Sequence, residues 1–298
     1  MGTIYRNILR PMLALQDSEN AHSRTINMLR RFGNNKLTRF MISVIYKSNK
    51  RLPITVFGQD YIHPFGLAAG MDKKGEAING WGSLGLSFAE IGGITMLEQS
   101  GNPKPRMFRS NNHKALVNLM GFNNPGSEKM RSAFENHFAK FGKPEIPIWV
   151  NLGKSKLTEN EDAHSDYSTT LGRLWEFTDV FVINVSSPNT PNLRDLQSVE
   201  QLRIIIEACQ KMNQEKSAEF SSSPKPLLVK VAPDMSLEQL EDIVTVAIEC
   251  GCSGIVATNT TVTRVGELSG DKNLQESGGL SGVPLRTCLL YTSPSPRD

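Results

Sequence analysis

The feature that most constrains the fold of this chain is a series of six short, nearly continuous apolar runs separated by longer segments. The runs lie at 65–69, 86–91, 146–152, 180–185, 227–232 and 254–258. Runs of this length without polar alternation predict strands that are buried on both faces. The intervening segments, such as 198–212 and 236–250, are long enough for crossover helices. A hairpin predicted at 54–57 and 60–63 precedes the series, and the whole pattern predicts a repeated β-α fold with a parallel sheet.

Polar groups at the ends of these runs distinguish the two architectures that such a series can form. A barrel gathers its chemistry at the carboxyl ends of many strands, because all the following loops meet over one mouth. An open, doubly wound sheet concentrates its ligands at one switch point instead. Nearly every run here leads into a reactive or hydrogen-bonding group: Lys73, Thr95, Asn151, Asn184 to Asn189, Lys230, and Thr258 to Thr260. This distribution favours a (β/α)8 barrel.

A G-x-G-x-x-G pattern at 80–85 is similar to the turn that binds dinucleotides. That fingerprint must follow a strand and open a helix. Here the pattern precedes the apolar run at 86–91. We therefore interpret it as a loop between a helix and the second strand, and not as a nucleotide site.

Composition limits the compartment and the kinds of site. The chain has 298 residues, of which 39% are hydrophobic and 21% are charged, as in ordinary globular proteins. The four cysteines show no C-x-x-C spacing and the five histidines no H-x-x-x-H pair, so neither a disulfide framework nor a metal site is predicted. The sequence contains neither a run of about 18 apolar residues nor the apolar core of a signal peptide. We expect a protein of a reducing, cytosolic compartment.

Charge is distributed unevenly along the chain. Residues 1–51 contain ten Lys or Arg and two acidic residues, a net charge of +8, so the remainder carries −5. Within this segment, 20–32 and 36–47 have apolar residues at helical spacing, which predicts two basic, amphipathic helices. Such a pair suits an anionic lipid surface, and a helical hairpin packed on the main domain explains the pattern equally well. Nucleic acid is not expected as a partner, because the rest of the chain is acidic.

The stretch "INVSSPNTPNLR" at 183–194 carries more small hydroxyl and amide side chains than a turn requires. One or two Pro or Asn residues are enough to form a turn. A helix-capping loop and a ligand site both remain possible from these residues alone.

Seven ordered blocks together resemble the dihydroorotate dehydrogenase family. They are "FGLAAGMDKKGE" (65–76), "NLMGFNN" (118–124), "WVNLGKSK" (149–156), "INVSSPNTPNLR" (183–194), "LLVKVAPD" (227–234), "IVATNTT" (255–261) and "GGLSG" (278–282). The basic helical N-terminus, and a Ser in the fourth block where the cytosolic class carries Cys, are similar to the membrane-associated, quinone-dependent class 2. The resemblance covers residues from about 4 to about 286, and class 1 enzymes would require Cys in place of Ser187.

The resemblance implies a (β/α)8 TIM barrel that binds FMN and oxidises dihydroorotate to orotate in pyrimidine synthesis, with a membrane quinone as final acceptor. It divides the chain into an N-terminal helical membrane and quinone-access segment (1–50), a barrel (51–286) and a tail that is expected to be non-native (287–298). Only the first six barrel units are expected, because the tail "TCLLYTSPSPRD" is unlike any barrel segment. The alternative is therefore an inactive flavin-barrel fragment or scaffold. The implied location is the cytoplasmic face of the inner membrane, as a peripheral protein.

The resemblance also implies site residues. Those expected to bind FMN are Ala68, Ala69, Gly70, Lys73, Gly93, Asn151, Asn184, Lys230, Thr258 and Gly282. Those expected to bind dihydroorotate are Lys73, Asn118, Leu119, Met120, Gly121, Phe122, Asn184, Asn189, Asn259 and Thr260. Amide side chains suit an imide-like ring, since each offers paired donors and an acceptor. Gly93 and Leu119 depart from the family, in which Thr and, in bacterial members, Arg are frequent at these positions.

Ser187 matches the family's catalytic base, which takes the proton from C5 of dihydroorotate while hydride leaves C6 for the flavin N5. A free serine is a poor base, so the pocket must pass the proton on. Thr190 and Phe122 occupy the positions that shape that path in the family. The alternative is that Ser187 only caps a helix.

Overall fold

The computed structural model describes residues 7, 8, 10–46, 52–190, 192–264 and 270–286. The ends of the segment predicted at 1–50, and the whole tail predicted at 287–298, lie outside the described residues. The helices are α1 (Arg10–Ala14), α2 (Ser18–Gly33), α3 (Lys36–Tyr46), α4 (Ile78–Ser83), α5 (Ser127–Phe141), α6 (Ala163–Leu174), α7 (Val199–Glu219), α8 (Leu237–Glu249) and α9 (Lys272–Gln275). The strands are β1 (Ile54–Val56), β2 (Gln59–Tyr61), β3 (Ala89–Ile94), β4 (Met107–Ser110), β5 (Ala115–Asn118), β6 (Ile148–Leu152), β7 (Val180–Asn184), β8 (Leu227–Lys230), β9 (Gly254–Val256) and β10 (Gly279–Gly282).

Five of the predicted core strands form one parallel sheet in the order β3-β6-β7-β8-β9. The helices predicted at 198–212 and 236–250 are confirmed as α7 and α8. Ser236 is the N-cap of α8 and forms a capping box with Gln239. The Ser236 side chain accepts a hydrogen bond from the Gln239 backbone N–H, and the Gln239 side chain accepts one from the Ser236 backbone N–H. A sheet whose strands follow chain order, with crossover helices between them, fits a TIM-barrel-like fold.

The first predicted strand, at 65–69, pairs with the sheet through a single parallel bridge from Leu67 to Ala89. The strand ends early because the next amide, of Ala69, donates to the Glu90 side chain at 3.2 Å instead of to a backbone carbonyl. Gly70 then turns the chain with a φ of 100°, which favours glycine. The prediction of a full strand here was wrong in extent.

Side chains on the parallel strands alternate between two packed faces. On β7, Phe181 and Ile183 join the large cluster that includes residues of α6 and α7. Val180 and Val182 pack in a separate cluster on the opposite face. Burial on both faces explains why this strand lacks the polar alternation of a half-exposed sheet. We call the face of Val180 and Val182 the inner face.

The inner face changes character along the strands. At the amino ends it is apolar, and Phe57 of the β1–β2 hairpin packs there on Trp149. Phe88 stacks on the same indole with ring centroids 4.2 Å apart. At the carboxyl ends Asn184 pairs directly with Lys230 in the β7–β8 ladder. The hairpin predicted at 54–57 and 60–63 is thereby confirmed, and it closes the apolar end of this face.

A three-stranded sheet was not predicted from the sequence. Strands β10, β5 and β4 form an antiparallel sheet in that order. Strands β4 and β5, "MFRS" and "ALVN", are only four residues long and partly exposed, so each gives a weak period-2 signal. The pairing of Gly279–Gly282 with β5 spans more than 160 residues of chain, which local sequence patterns do not reveal.

The helices predicted at 20–32 and 36–47 are confirmed as α2 and α3. Helix α2 buries Ile26 and Leu29 in the main core. It also crosses α4 closely, since a Cβ on Gly33 would lie 2.3 Å from the Gly80 amide nitrogen. Gly80 belongs to the G-x-G-x-x-G pattern. The interpretation of that pattern as a loop was wrong for Ile78–Ser83, which is helical because these residues bury against α2 and α3.

We predict that Gly80→Ala lowers the free energy of unfolding by about 1–3 kcal/mol, because the added methyl overpacks the helix crossing. A Cβ at this position would lie 2.5 Å from the Leu29 Cγ atom. Gly82→Ala is the matched control in the same helix, since its nearest neighbour would be 3.5 Å away, on Ile146. Denaturant unfolding of both variants measures the difference. Equal stability of the two variants would contradict the close packing of α2 on α4.

Candidate active site

A cavity of about 690 Å³ lies at the carboxyl ends of the parallel strands. Sixteen of the residues predicted for the site line it: Ala69, Gly70, Lys73, Gly93, Asn118, Met120, Gly121, Phe122, Asn151, Asn184, Ser187, Asn189, Lys230, Asn259, Thr260 and Gly282. They come from segments more than 200 residues apart in the chain. The strand-end polar groups identified in the sequence therefore converge on one mouth.

Four predicted residues do not line this cavity. The backbone amide of Leu119 donates to the Arg106 carbonyl at 2.9 Å, and the Thr258 hydroxyl donates to the Asn259 carbonyl at 2.9 Å. Ala68 is exposed, and Thr190 is buried behind the cavity wall. The roles expected of these four residues stay predictions.

A chain of buried amides crosses the inner face. The Asn151 amide donates to Glu90 Oε1 at 2.7 Å, and the Asn184 amide donates to Asn151 Oδ1 at 2.8 Å. The Asn259 amide donates in turn to Asn184 Oδ1 at 3.2 Å and to Ser186 Oγ at 3.1 Å. Each member fixes the rotamer of the next, so the cavity wall is pre-organised.

The two remaining predicted asparagines form a separate pair. The Asn189 amide donates to Asn118 Oδ1 at 2.9 Å, and the Asn118 amide donates to the Gly279 carbonyl at 3.2 Å. Asn102 supports the pair by donating to the Asn189 carbonyl at 3.2 Å. The Asn189 Oδ1 atom is buried and has no hydrogen-bond partner among the described residues. An unpartnered buried acceptor in a cavity wall is suited to an N–H donor of a ligand.

Ser187 lies on the same wall and is 6% exposed. Its Oγ atom accepts from the backbone N–H of Asn189 at 3.3 Å, so the hydroxyl proton remains free to point elsewhere. Thr190, 7% exposed, has an Oγ1 atom without a hydrogen-bond partner in the described part of the chain. Ser187 does not cap a helix: α7 begins at Val199, with Ser198 as its N-cap.

Arg194 braces the loop that carries Ser187. Its guanidinium donates to the carbonyls of Ser186 and Thr260, both at 3.3 Å, and pairs with Asp234 at 3.0 Å. Asp234 also accepts from the Thr261 hydroxyl, and these interactions, against the opposing effect of burial, hold the pKa of the Asp234 carboxyl below its usual value. The brace joins the loops after β7, β8 and β9. Sequence reasoning missed it, although both residues stand inside the quoted blocks.

Phe122 is held in the wall by two glycines. A Cβ on Gly93 would lie 2.6 Å from the Phe122 ring, and one on Gly153 would lie 2.8 Å from it. The ring thus fills the space that side chains at both positions would need. This close approach explains why Gly, and not Thr, stands at position 93 of this chain.

Among the cations that line the cavity, Lys73 has the most strongly shifted pKa. Burial lowers the pKa of the Lys73 ammonium to about 8. The cost of desolvating a cation is offset when an anionic or electron-rich ligand lies beside it. Lys73 therefore marks a wall suited to such a ligand.

The opposite wall of the cavity comes from α1, α2, β4 and β5, and sequence reasoning missed its polar residues. The Arg109 guanidinium donates to the Leu13 carbonyl at 3.2 Å and to Ser18 Oγ at 2.9 Å. The His22 Nε2 atom lies 2.6 Å from the Met71 carbonyl oxygen, and burial lowers the pKa of its imidazole. Apolar Leu13 and Ala14 line the cavity beside them. This wall therefore combines the guanidinium donor of Arg109 with the apolar side chains of Leu13 and Ala14.

Glu90 is a further residue that the sequence analysis missed. It is a carboxylate, 4% exposed, within the apolar run at 86–91. A charge inside a buried strand requires compensation, and that signal was visible in the sequence. Across the described ranges, no group of three or more His, Cys, Asp or Glu side chains could hold a metal ion.

Comparisons with known proteins agree on one family. The family model described as "Dihydroorotate dehydrogenase" matches residues 51–292. A relative from Chloroflexus aurantiacus, "Dihydroorotate dehydrogenase (quinone)", is 43% identical over 292 residues, which is 96% of this chain and 79% of the relative. The protein of the same name from Gloeobacter violaceus is 42% identical and covers 95% of this chain and 75% of the relative.

Solved structures give the same result. The ligand-free DHODH of Eimeria tenella superposes with a TM-score of 0.74 at 35% identity, covering 85% of this chain and 76% of that chain. The complex of that enzyme with ferulenol gives a TM-score of 0.73 at 34% identity, covering 85% and 74%. The family model, the identities and the superpositions show that this chain belongs to the dihydroorotate dehydrogenase family, and within it to the quinone-dependent class 2.

Proposed function

We propose that this protein oxidises (S)-dihydroorotate to orotate, with FMN as the hydride acceptor and a membrane quinone as the final electron acceptor. The observation that carries the proposal is the convergence of Ser187, Lys230 and five asparagine amides on one cavity. The relatives named dihydroorotate dehydrogenase (quinone) support the same reaction. In the proposed architecture, residues 51–286 belong to a (β/α)8 barrel, and residues 1–50 form a helical segment beside its mouth.

The residues of one cavity wall fit a flavin ring. Ala69 and Gly70 leave backbone accessible, and a Cβ on Gly70 would meet no atom within 4 Å, so open space lies beside it. Lys230, at the end of β8, offers an ammonium to the electron-rich N1–C2 carbonyl edge of the ring. When bound, FMN supplies the two-electron acceptor that no side chain provides. We assign Ala69, Gly70, Lys73, Asn151 and Lys230 to hold it.

The amide wall fits the substrate ring. Dihydroorotate presents imide N–H donors, carbonyl acceptors and a carboxylate. Asn189 offers its unpartnered Oδ1 to a ring N–H. Asn118 and Asn184 each donate one side-chain N–H within the protein and offer the second to the carbonyls and the carboxylate, and Asn259 lines the same wall. Because the amides are already linked to one another, little rotamer entropy remains to be lost on binding.

Ser187 is assigned as the base that removes the C5 proton. Its Oγ accepts only from the backbone N–H of Asn189 in the described structure, which leaves a lone pair available for the proton. The buried Thr190 hydroxyl is a suitable next group in the proton path, with Phe122 shielding that path from solvent. A positioned general base of this kind contributes about 10²–10⁴-fold to rate.

The second wall is assigned to the quinone. Arg109 is a donor for a quinone carbonyl, and Leu13 and Ala14 suit its apolar tail. The adjacent helix α3 exposes Leu37, Phe40, Met41, Val44 and Ile45 by 54–70% each. An exposed apolar face beside arginines favours interfacial binding to an anionic membrane, at the cytoplasmic face. None of the helices that the structure describes is long and apolar enough to cross a bilayer.

We predict that Ser187→Ala slows reduction of the bound flavin by dihydroorotate by about 10²–10⁴-fold, because the general base is lost. FMN should remain bound, since Ser187 is assigned to the substrate proton. Anaerobic stopped-flow absorbance measures the rate. Ser187→Cys serves as the matched variant and should retain some activity with a shifted pH profile, because a thiolate acts as a base. Reduction of the alanine variant at the wild-type rate would refute the assignment.

We predict that the affinity of the apoprotein for FMN falls by about tenfold between pH 7 and pH 9. The pKa of Lys73 is lowered to about 8 by burial, so the free protein loses this cation as the pH rises through that value. The complex keeps the proton, because the electron-rich ligand favours the charged form. Fluorescence titration with FMN measures the effect. Lys73→Arg stays charged and should show a flat profile; the same slope in both proteins would contradict the role of Lys73.

We predict that Phe40→Asp combined with Val44→Asp weakens binding to anionic vesicles by roughly tenfold or more, because each apolar side chain contributes about 1.5–3 kcal/mol when buried. Folding should not change, since none of the residues Lys36–Tyr46 is buried. Leu157→Asp, at a site 82% exposed and outside α3, is the control. Vesicle co-sedimentation measures binding, and wild-type sedimentation of the double variant would exclude α3 as the docking face.

A further inference from the structure

Glu90 is a buried carboxylate that lies behind the cavity wall and contacts three parts of it. Its Oε1 atom accepts from the Asn151 amide at 2.7 Å and lies 3.4 Å from the Lys230 ammonium. Its Oε2 atom accepts from the Ala69 backbone amide at 3.2 Å. The side chain of Glu90 is 5% exposed and that of Lys230 is 9% exposed. Asn151, Lys230 and Ala69 line the cavity, whereas Glu90 does not.

We propose that Glu90 is a positioning residue that aligns the flavin-binding wall and offsets the charge of Lys230, and that it thereby sets the reduction potential of the bound flavin. The inference rests on the proposed binding of FMN to this wall. The steps of the proposed reaction do not themselves involve Glu90.

The positioning part follows from the three contacts. Ala69 lies just after the bridge at Leu67, Asn151 is on β6 and Lys230 is on β8, so one carboxylate joins three separate segments of the wall. In the parallel sheet, Gly92 pairs with Asn151, which puts Glu90 on the same inner face two residues earlier. Removing one partner of a buried ion pair leaves the charge of the other uncompensated, which destabilises the arrangement of the wall around it.

The electrostatic part follows from the low dielectric of the site. With Glu90 ionised, the Glu90 and Lys230 charges largely cancel at the flavin ring. Replacement by a neutral amide leaves the ammonium unopposed, and a cation near the ring stabilises the electron-rich reduced form. The potential of the flavin must then become more positive.

Asp166 provides a matched control for the loss of a buried carboxylate. It is 0% exposed and accepts from the amides of Met96 and Ser155 at 3.0 and 2.9 Å and from the Thr158 hydroxyl at 2.7 Å. It does not line the cavity. Asp166→Asn therefore costs stability as Glu90→Gln does, but it leaves the wall and its charges unchanged.

The test is the two-electron potential of FMN bound to the wild type, Glu90→Gln and Asp166→Asn, measured by equilibration with a reference dye. We expect Glu90→Gln to raise the equilibrium ratio of reduced to oxidised flavin by about tenfold, a positive shift of about 30 mV. Asp166→Asn should lower the melting temperature without changing the potential. Glu90→Asp keeps the charge on a shorter side chain, so it should keep the wild-type potential while weakening FMN binding.

The outcomes separate this inference from the proposed function. A wild-type protein that binds FMN, with an unchanged potential in Glu90→Gln, would overturn the role of Glu90 and leave the proposed function standing. A wild-type protein that binds no FMN would overturn both. If Glu90→Gln does not fold, Glu90→Asp decides the question alone: a potential shifted away from the wild-type value would contradict the inference.

Discussion

The parallel pairing of β6, β7 and β8 is the constraint on which the candidate site depends. In this ladder Asn184 lies directly opposite Lys230, and Asn151 lies opposite Val182, one pleat earlier. Because the side-chain period of a strand is two, this register puts all three polar side chains on the inner face. A slip of one residue would turn them toward the helices and bury them in the main core. The same alternation fills the amino ends of that face with Phe57 and Trp149, so the cavity has an apolar base and a polar mouth.

The sequence alone predicted the parts of this arrangement that depend on local pattern. Apolar runs located five core strands, helical spacing located α2 and α3, the length of the intervening segments located α7 and α8, and resemblance to a family supplied the site residues. The run at 65–69 was overestimated because the Ala69 amide bonds to a side chain, which no pattern in that run reveals. The pattern at 80–85 was interpreted as a loop because it directly precedes the apolar run at 86–91, whereas tertiary packing on α2 makes Ile78–Ser83 helical.

The wall opposite the parallel strands was beyond sequence reasoning for a different reason. It combines α1 and α2 with strands β4 and β5, and the contacts join segments about 90 residues apart. Arg106, 7% exposed, donates to both carboxylate oxygens of Glu19 at 2.8 and 3.2 Å, and these hydrogen bonds lower the pKa of the Glu19 carboxyl. Arg106 also donates to the Asn102 carbonyl at 2.8 Å, and Asn102 supports the Asn189 backbone. The N-terminal helices are therefore bound to the same loops that carry the amides assigned to the substrate.

A structure of the complex with FMN and orotate tests the central claim most directly. The account predicts that the flavin ring lies along Ala69, Gly70 and Lys230, with a ring N–H of orotate donating to Asn189 Oδ1 and the Ser187 hydroxyl facing C5. Orotate bound away from this amide wall, or with C5 turned from Ser187, would contradict the account.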